Sequence, residues 1–124
     1  MTYLPAAATT RHELPGVVFM AMVSPQKGST ANSVWRLTVA PGTPGTAHQL
    51  TKEEIIIATA GQARVTIDGK RHDVRPGDTI IVPALTDFSL SNEGHEAFEA
   101  IAVFPVGGQA IIGDGPAFTP PWAA

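Results

Sequence analysis

Apolar residues in this chain come in short runs, alternating with polar ones, and the runs break every few residues at Gly or Pro. Between the breaks lie segments rich in Val, Ile, Thr and Phe, and no long stretch keeps a helical period. Short β-type segments at regular spacing predict an all-β sandwich or barrel. The predicted strands are Val17–Val23, Val34–Val39, Ala47–Leu50, Glu54–Ala60, Ala63–Ile67, Lys70–Val74, Asp78–Val82, Asp87–Asn92 and Ala97–Phe104. Asp68-Gly69 is a two-residue hairpin signal. Arg75-Pro76-Gly77-Asp78 reads as a tight turn before a buried strand. Ser24–Asn32 reads as a polar loop. The expected organisation is one domain: an N-terminal arm over 1–16, a barrel over 17–104 and a Pro/Gly-rich tail over 105–124. The tail carries Ile111, Ile112, Phe118 and Trp122, which are costly to leave in water. It is therefore expected to pack on the barrel or on a second subunit.

Composition narrows the partners. The 124 residues suit a single domain with its own core. Charged residues make up only 15% and the net charge is −3, with no dense Lys/Arg cluster. Nucleic acid binding needs a basic face, so it is not expected. No cysteine is present, which removes disulfides and thiolate metal sites. The start, Met1-Thr2-Tyr3-Leu4-Pro5, lacks the basic and apolar regions of a signal peptide, and Ile55-Ile56-Ile57-Ala58 is too short to span a bilayer. A cytoplasmic protein with no membrane partner is the expectation.

The candidate chemistry centres on His48 and Glu54. Thr51-Lys52-Glu53 between them is polar enough to be a turn. On one straight strand they would lie about 20 Å apart. If the chain folds back at Thr51–Glu53, Glu54 comes beside the end of the His48 strand. Side chains alternate along a strand, so His48 and Leu50 share one face, Glu54, Ile56 and Ala58 another, and Phe88 and Leu90 a third.

The stretch Gly42–Gly61 is similar to the first motif of the cupins. That motif runs Gly, five residues, His, one, His, three or four, Glu, six, Gly, and here only Leu50 departs from it, standing where the second histidine belongs. The second cupin motif is matched at Gly77, Pro83 and Asn92, while Leu85 replaces a glycine and Phe88 a histidine. The resemblance runs from Gly42 to Asn92 and implies a cupin-type double-stranded β-helix, a jelly-roll barrel. It also implies a metal site of three histidines and one glutamate, of which only His48 and Glu54 remain. A divalent site normally needs three or more protein ligands. No cofactor is therefore expected, apart from a divalent metal held weakly by His48 and Glu54.

The lost ligands leave an apolar pocket. Leu50, Ile56, Leu85, Phe88 and Leu90 are the expected binding residues for a small apolar organic ligand. His48 and Glu54 are the expected catalytic pair. Glu54 would orient and charge-stabilise the imidazole, and His48 would move a proton in an isomerisation, cyclisation or elimination. Three alternatives stay open: a metal-dependent oxygenase or isomerase with a reduced ligand set, a non-catalytic binder or sensor, and a filled barrel in which the pair is a satisfied buried hydrogen bond. Trp35 and Phe104 belong either to the cavity or to a subunit contact. Related barrels commonly pair, so the resemblance also implies a homodimer.

Overall fold

The computed structural model describes residues 1–124 and contains eleven strands and three single 3-10 turns. Six strands form the larger sheet, in the order β1 (Thr10–Leu14), β2 (Val17–Val23), β3 (Asn32–Val39), β10 (Phe98–Pro105), β5 (Glu54–Ala60) and β8 (Thr79–Val82). A three-stranded sheet faces it, in the order β7 (Lys70–Val74), β6 (Ala63–Ile67) and β9 (Phe88–Ser91). A two-stranded ribbon of β4 (Gln49–Leu50) and β11 (Ala110–Ile111) closes one side. The pairings within each sheet are antiparallel.

Alternation explains which face each strand buries. On β3, Ser33, Trp35, Leu37 and Val39 are buried, while the residues between them are exposed or half-buried. On β5 the buried set is Glu54, Ile56 and Ala58, and on β10 it is Phe98, Ala100, Ala102 and Phe104. Together these inward faces make one contiguous core of 19 buried apolar residues. The Asp68-Gly69 hairpin forms as the dipeptide predicts. Both residues take positive φ, 49° and 78°, which matches the right-handed twist of β6 and β7.

Two motif residues have structural work. Gly61 sits at φ +71°, and a Cβ there would meet the Ala97 carbonyl oxygen at 2.1 Å, so the turn after β5 requires glycine. Asn92 is fully buried with all its amide positions used. Its Nδ2 donates to the carbonyls of Val39 (3.0 Å) and Glu96 (2.8 Å), and its Oδ1 accepts from Gly94 N–H (3.0 Å). Its backbone also exchanges hydrogen bonds with Gly42 and Thr43. Asn92 thereby pins the Gly42–Thr46 loop to the barrel wall.

The N-terminal end departs from the sequence expectation. Residues 1–16 are more than an arm, because β1 pairs along its length with β2. The tail contributes β11 and folds back on the barrel. Trp122 stacks on Phe19 with centroids 3.6 Å apart, and the buried Ser33 hydroxyl donates to the Ala123 carbonyl at 2.7 Å. No helix is long and apolar enough to cross a membrane.

Candidate functional site

The barrel encloses a cavity of about 460 Å³, within the usual range of small-molecule sites. Trp35, Leu37 and Phe104 line it from β3 and β10. Leu50 lines it from β4, Glu54 and Ile56 from β5, and Phe88 and Leu90 from β9. Fifteen of its 22 lining residues are hydrophobic, and no Lys or Arg is among them. Trp35 and Phe104 meet edge to face, with centroids 6.2 Å apart.

His48 stands just before β4, bridged through its backbone to Phe88. Its ring lies edge-on to Phe88, with centroids 5.1 Å apart. Nδ1 is 2.8 Å from the Thr46 carbonyl oxygen. A carbonyl can only accept, so Nδ1 carries the proton, and in this tautomer Nε2 keeps a free lone pair. Glu54 starts β5 and is 7% exposed. Desolvation by burial pushes its pKa up to about 8, and no charge or hydrogen bond opposes that shift. Burial therefore favours the neutral carboxylic acid over the carboxylate. A hydrogen-bond acceptor and a hydrogen-bond donor thus share an otherwise apolar cavity.

Two expectations about this site are corrected. The chain does not form a hairpin at Thr51–Glu53. β4 pairs with β11, while β5 pairs with β10 and β8, so the chain crosses from one sheet to another. The turn is held instead by Gln109, whose carbonyl accepts from Thr51 N–H (2.9 Å) and whose N–H donates to Thr51 Oγ1 (2.8 Å). His48 and Glu54 consequently reach one cavity without a direct hydrogen bond, and the Thr46 carbonyl, not Glu54, orients the imidazole. The second correction is Leu85. It does not line the cavity and is 62% exposed. Its backbone has φ 56°, a left-handed conformation suited to the glycine of the motif, and this turns its side chain to solvent. Leu50, Ile56, Phe88 and Leu90 do line the cavity.

The sequence reading also missed part of the wall. Leu14 and Pro15 come from the N-terminal hairpin, and Thr43, Pro44 and Thr46 from the loop before His48. Ala110, Ile112, Phe118, Pro120 and Trp122 come from the tail. The tail's apolar content was a usable signal, but nothing local indicated which surface it covers.

These donors fall short of the three protein ligands that a divalent site normally uses. Leu50 and Phe88 present hydrocarbon, and no group of three or more His, Asp or Glu able to hold a metal occurs. His12 is half-buried on β1, while His72 and His95 are exposed.

Two facing antiparallel sheets closed around an apolar cavity define a small jelly-roll barrel. The chain belongs to the Cupin domain family, which matches residues 35–104. No curated protein sequence is significantly similar to it. Solved structures share its fold at low identity. The polyketide cyclase RemF from Streptomyces resistomycificus superposes with a TM-score of 0.79 at 14% identity, covering 97% of this chain and 89% of that one. KdgF from Halomonas sp. gives a TM-score of 0.72 at 17% identity, covering 84% and 94%. A salicylate 1,2-dioxygenase from Pseudoaminobacter salicylatoxidans, solved as adducts with gentisate, gives 0.71 at 16% identity over 86% of this chain and 31% of that longer one.

Proposed function

We propose that this protein binds a small, largely apolar carbonyl compound in its barrel and moves a proton on it without a metal. The observation that carries this reading is the cavity itself, where a neutral buried Glu54 and the free Nε2 of His48 are set in an apolar wall. His48 Nε2 takes a proton from the carbon beside the carbonyl, and the Glu54 carboxylic acid donates its proton to the carbonyl oxygen. The C–H bond breaks, an O–H bond forms, and the enol is left with imidazolium and carboxylate. Return of both protons, with the carbon proton delivered elsewhere, isomerises the substrate. Attack of the enol carbon on a second carbonyl of the same molecule closes a ring, as the enol O–H returns its proton to the Glu54 carboxylate and the imidazolium protonates the new alkoxide. The fold likeness to a polyketide cyclase supports the second outcome.

The test is proton exchange on an aromatic ketone. With 1-tetralone in D2O, NMR should show the protein accelerating loss of the signal beside the carbonyl. His48→Gln and Glu54→Gln should each reduce that rate by about 100-fold, the usual scale of a positioned acid or base. Saturable binding with no exchange would leave a non-catalytic binder. Stoichiometric metal in the purified protein, with exchange abolished by chelator, would return the metal-dependent reading.

The chain is further proposed to pair with a second copy through the outer face of its six-stranded sheet. Ile81, Ile55, Val103 and Val34 stand in one cross-strand row there, with the exposed Ile57 beside it, and β8 leaves an open edge. The exposed Arg36 and Glu99 lie on the same face with no ion-pair partner in their own chain, a self-complementary pair across a two-fold axis. Light scattering should give a dimer, and Ile81→Arg should give a monomer. A concentration-independent wild-type monomer would end this proposal.

A further inference from the structure

The exposed part of the cavity lining comes from both ends of the chain, together with Pro44 and Thr46 of the loop before His48. Leu14 reaches it from β1, and Ile112 and Phe118 reach it from the tail. All three line the cavity, yet Leu14 is 52%, Ile112 51% and Phe118 39% exposed. Elsewhere the cavity wall is dominated by buried side chains such as Trp35, Leu50, Ile56 and Phe104. Three large apolar side chains left in water around one opening, continuous with an apolar interior, form a surface that a ligand can cover.

The tail between Ile112 and Phe118 is anchored at both sides. On one side Ala110 pairs with Leu50, and its backbone also exchanges hydrogen bonds with Phe118. On the other, Trp122 stacks on Phe19 and Ala123 accepts from Ser33. These bonds hold Ile112 and Phe118 in place at the opening. Charge adds a second constraint. The lining contains no Lys or Arg, so a carboxylate or phosphate would lose its hydration inside with no permanent cation to replace it, only the His48 imidazole.

We propose that Leu14, Ile112 and Phe118 form a second ligand subsite that holds the distal ring system of an elongated, uncharged ligand, whose carbonyl end lies at His48 and Glu54. The inference rests on the reading that the cavity binds a carbonyl compound, and it adds the length and charge of that compound. A one-ring ketone fills only the inner part, and a multi-ring ketone reaches the rim. An anion of the same length is rejected at the interior.

Three probes test this by calorimetric titration of the full chain: acetophenone, 2-acetylanthracene and anthracene-2-carboxylate. In the wild type, 2-acetylanthracene should bind at least tenfold more tightly than acetophenone and at least tenfold more tightly than the carboxylate. In the Ile112→Ser, Phe118→Ser double variant, the affinity ratio of 2-acetylanthracene to acetophenone should fall at least fivefold. A ratio unchanged in a variant that melts cooperatively would overturn the subsite. A carboxylate bound as tightly as the neutral ketone would overturn the charge rule, and needs no variant to be seen. Either failure, with tetralone exchange intact, leaves the proton-transfer reading standing. Absence of saturable binding by both ketones would remove that reading as well.

Discussion

Asn92 and Glu54 are both buried polar residues that keep their places in the family's motifs, yet their surroundings are opposite. Around Asn92 every amide position is used, two donations to carbonyls and one acceptance from an N–H. Glu54 lies in a cavity wall of hydrocarbon, and only desolvation acts on its proton. Buried polar groups are normally satisfied by protein, as Asn92 is, whereas the Glu54 carboxyl makes no protein hydrogen bond and faces the cavity. The same division runs through the motifs. Gly61 and Asn92 hold the barrel together, while Leu50 and Phe88, at positions where the motif resemblance implies metal ligands, present hydrocarbon. The result is a cupin fold around a largely apolar cavity that holds one imidazole and one carboxyl.

The comparison predicts different pH behaviour at the two sites. Glu54 binds its proton more tightly folded, at about 8, than unfolded, near 4.5. Between those values the unfolded chain holds fewer protons at this position, so the contribution to stability falls as pH rises. Below 4.5 and above 8 it is flat. Across the interval the loss is on the order of 5 kcal/mol. Glu54→Gln should remove that slope, so the variant gains on the wild type as pH rises, as read by urea denaturation at pH 5, 7 and 9. Parallel pH profiles for the two proteins would show that the Glu54 carboxyl is not desolvated.

Asn92→Ala should act the other way. It strands the Val39 and Glu96 carbonyls and the Gly94 N–H in the interior, at a cost of roughly 2–4 kcal/mol. Asn92 does not titrate, so the same loss should appear at pH 5 and pH 9. A loss confined to one pH would blur the division between the two residues. The smallest effect belongs to Leu85, which holds a left-handed backbone with its side chain in water. Leu85→Gly removes a strain of about 1–2 kcal/mol but frees the unfolded chain, leaving a net gain of up to about 1 kcal/mol in thermal or urea unfolding. A destabilised variant would mean that the exposed Leu85 side chain makes a contact of its own.

Much of the barrel was legible in the sequence because it depends on neighbours along the chain. β2, β5, β6 and β7 fall at their predicted residues, since alternation and turn chemistry act over a few positions. Several other strands shift by one or two residues at their ends, where pairing partners rather than propensity set the limit. β1 was missed because Thr10–Leu14 buries little and owes its extension to pairing with β2. β11 is only two residues long and exists because β4 lies beside it.

The candidate site divides in the same way. Motif spacing singled out His48, Leu50, Glu54 and Phe88, and the folded chain gathers all four around one cavity. Sequence also determined that these positions offer one imidazole, one carboxyl and two hydrocarbon faces, because donor chemistry is a property of residue type. Tertiary structure alone decided how those groups are used. Thr46 rather than Glu54 holds the imidazole, Leu85 turns outward, and both chain ends join the cavity wall. Each of these depends on which strand the chain crosses to after a turn, and that is settled by contacts between residues distant in sequence, where local pattern has no reach.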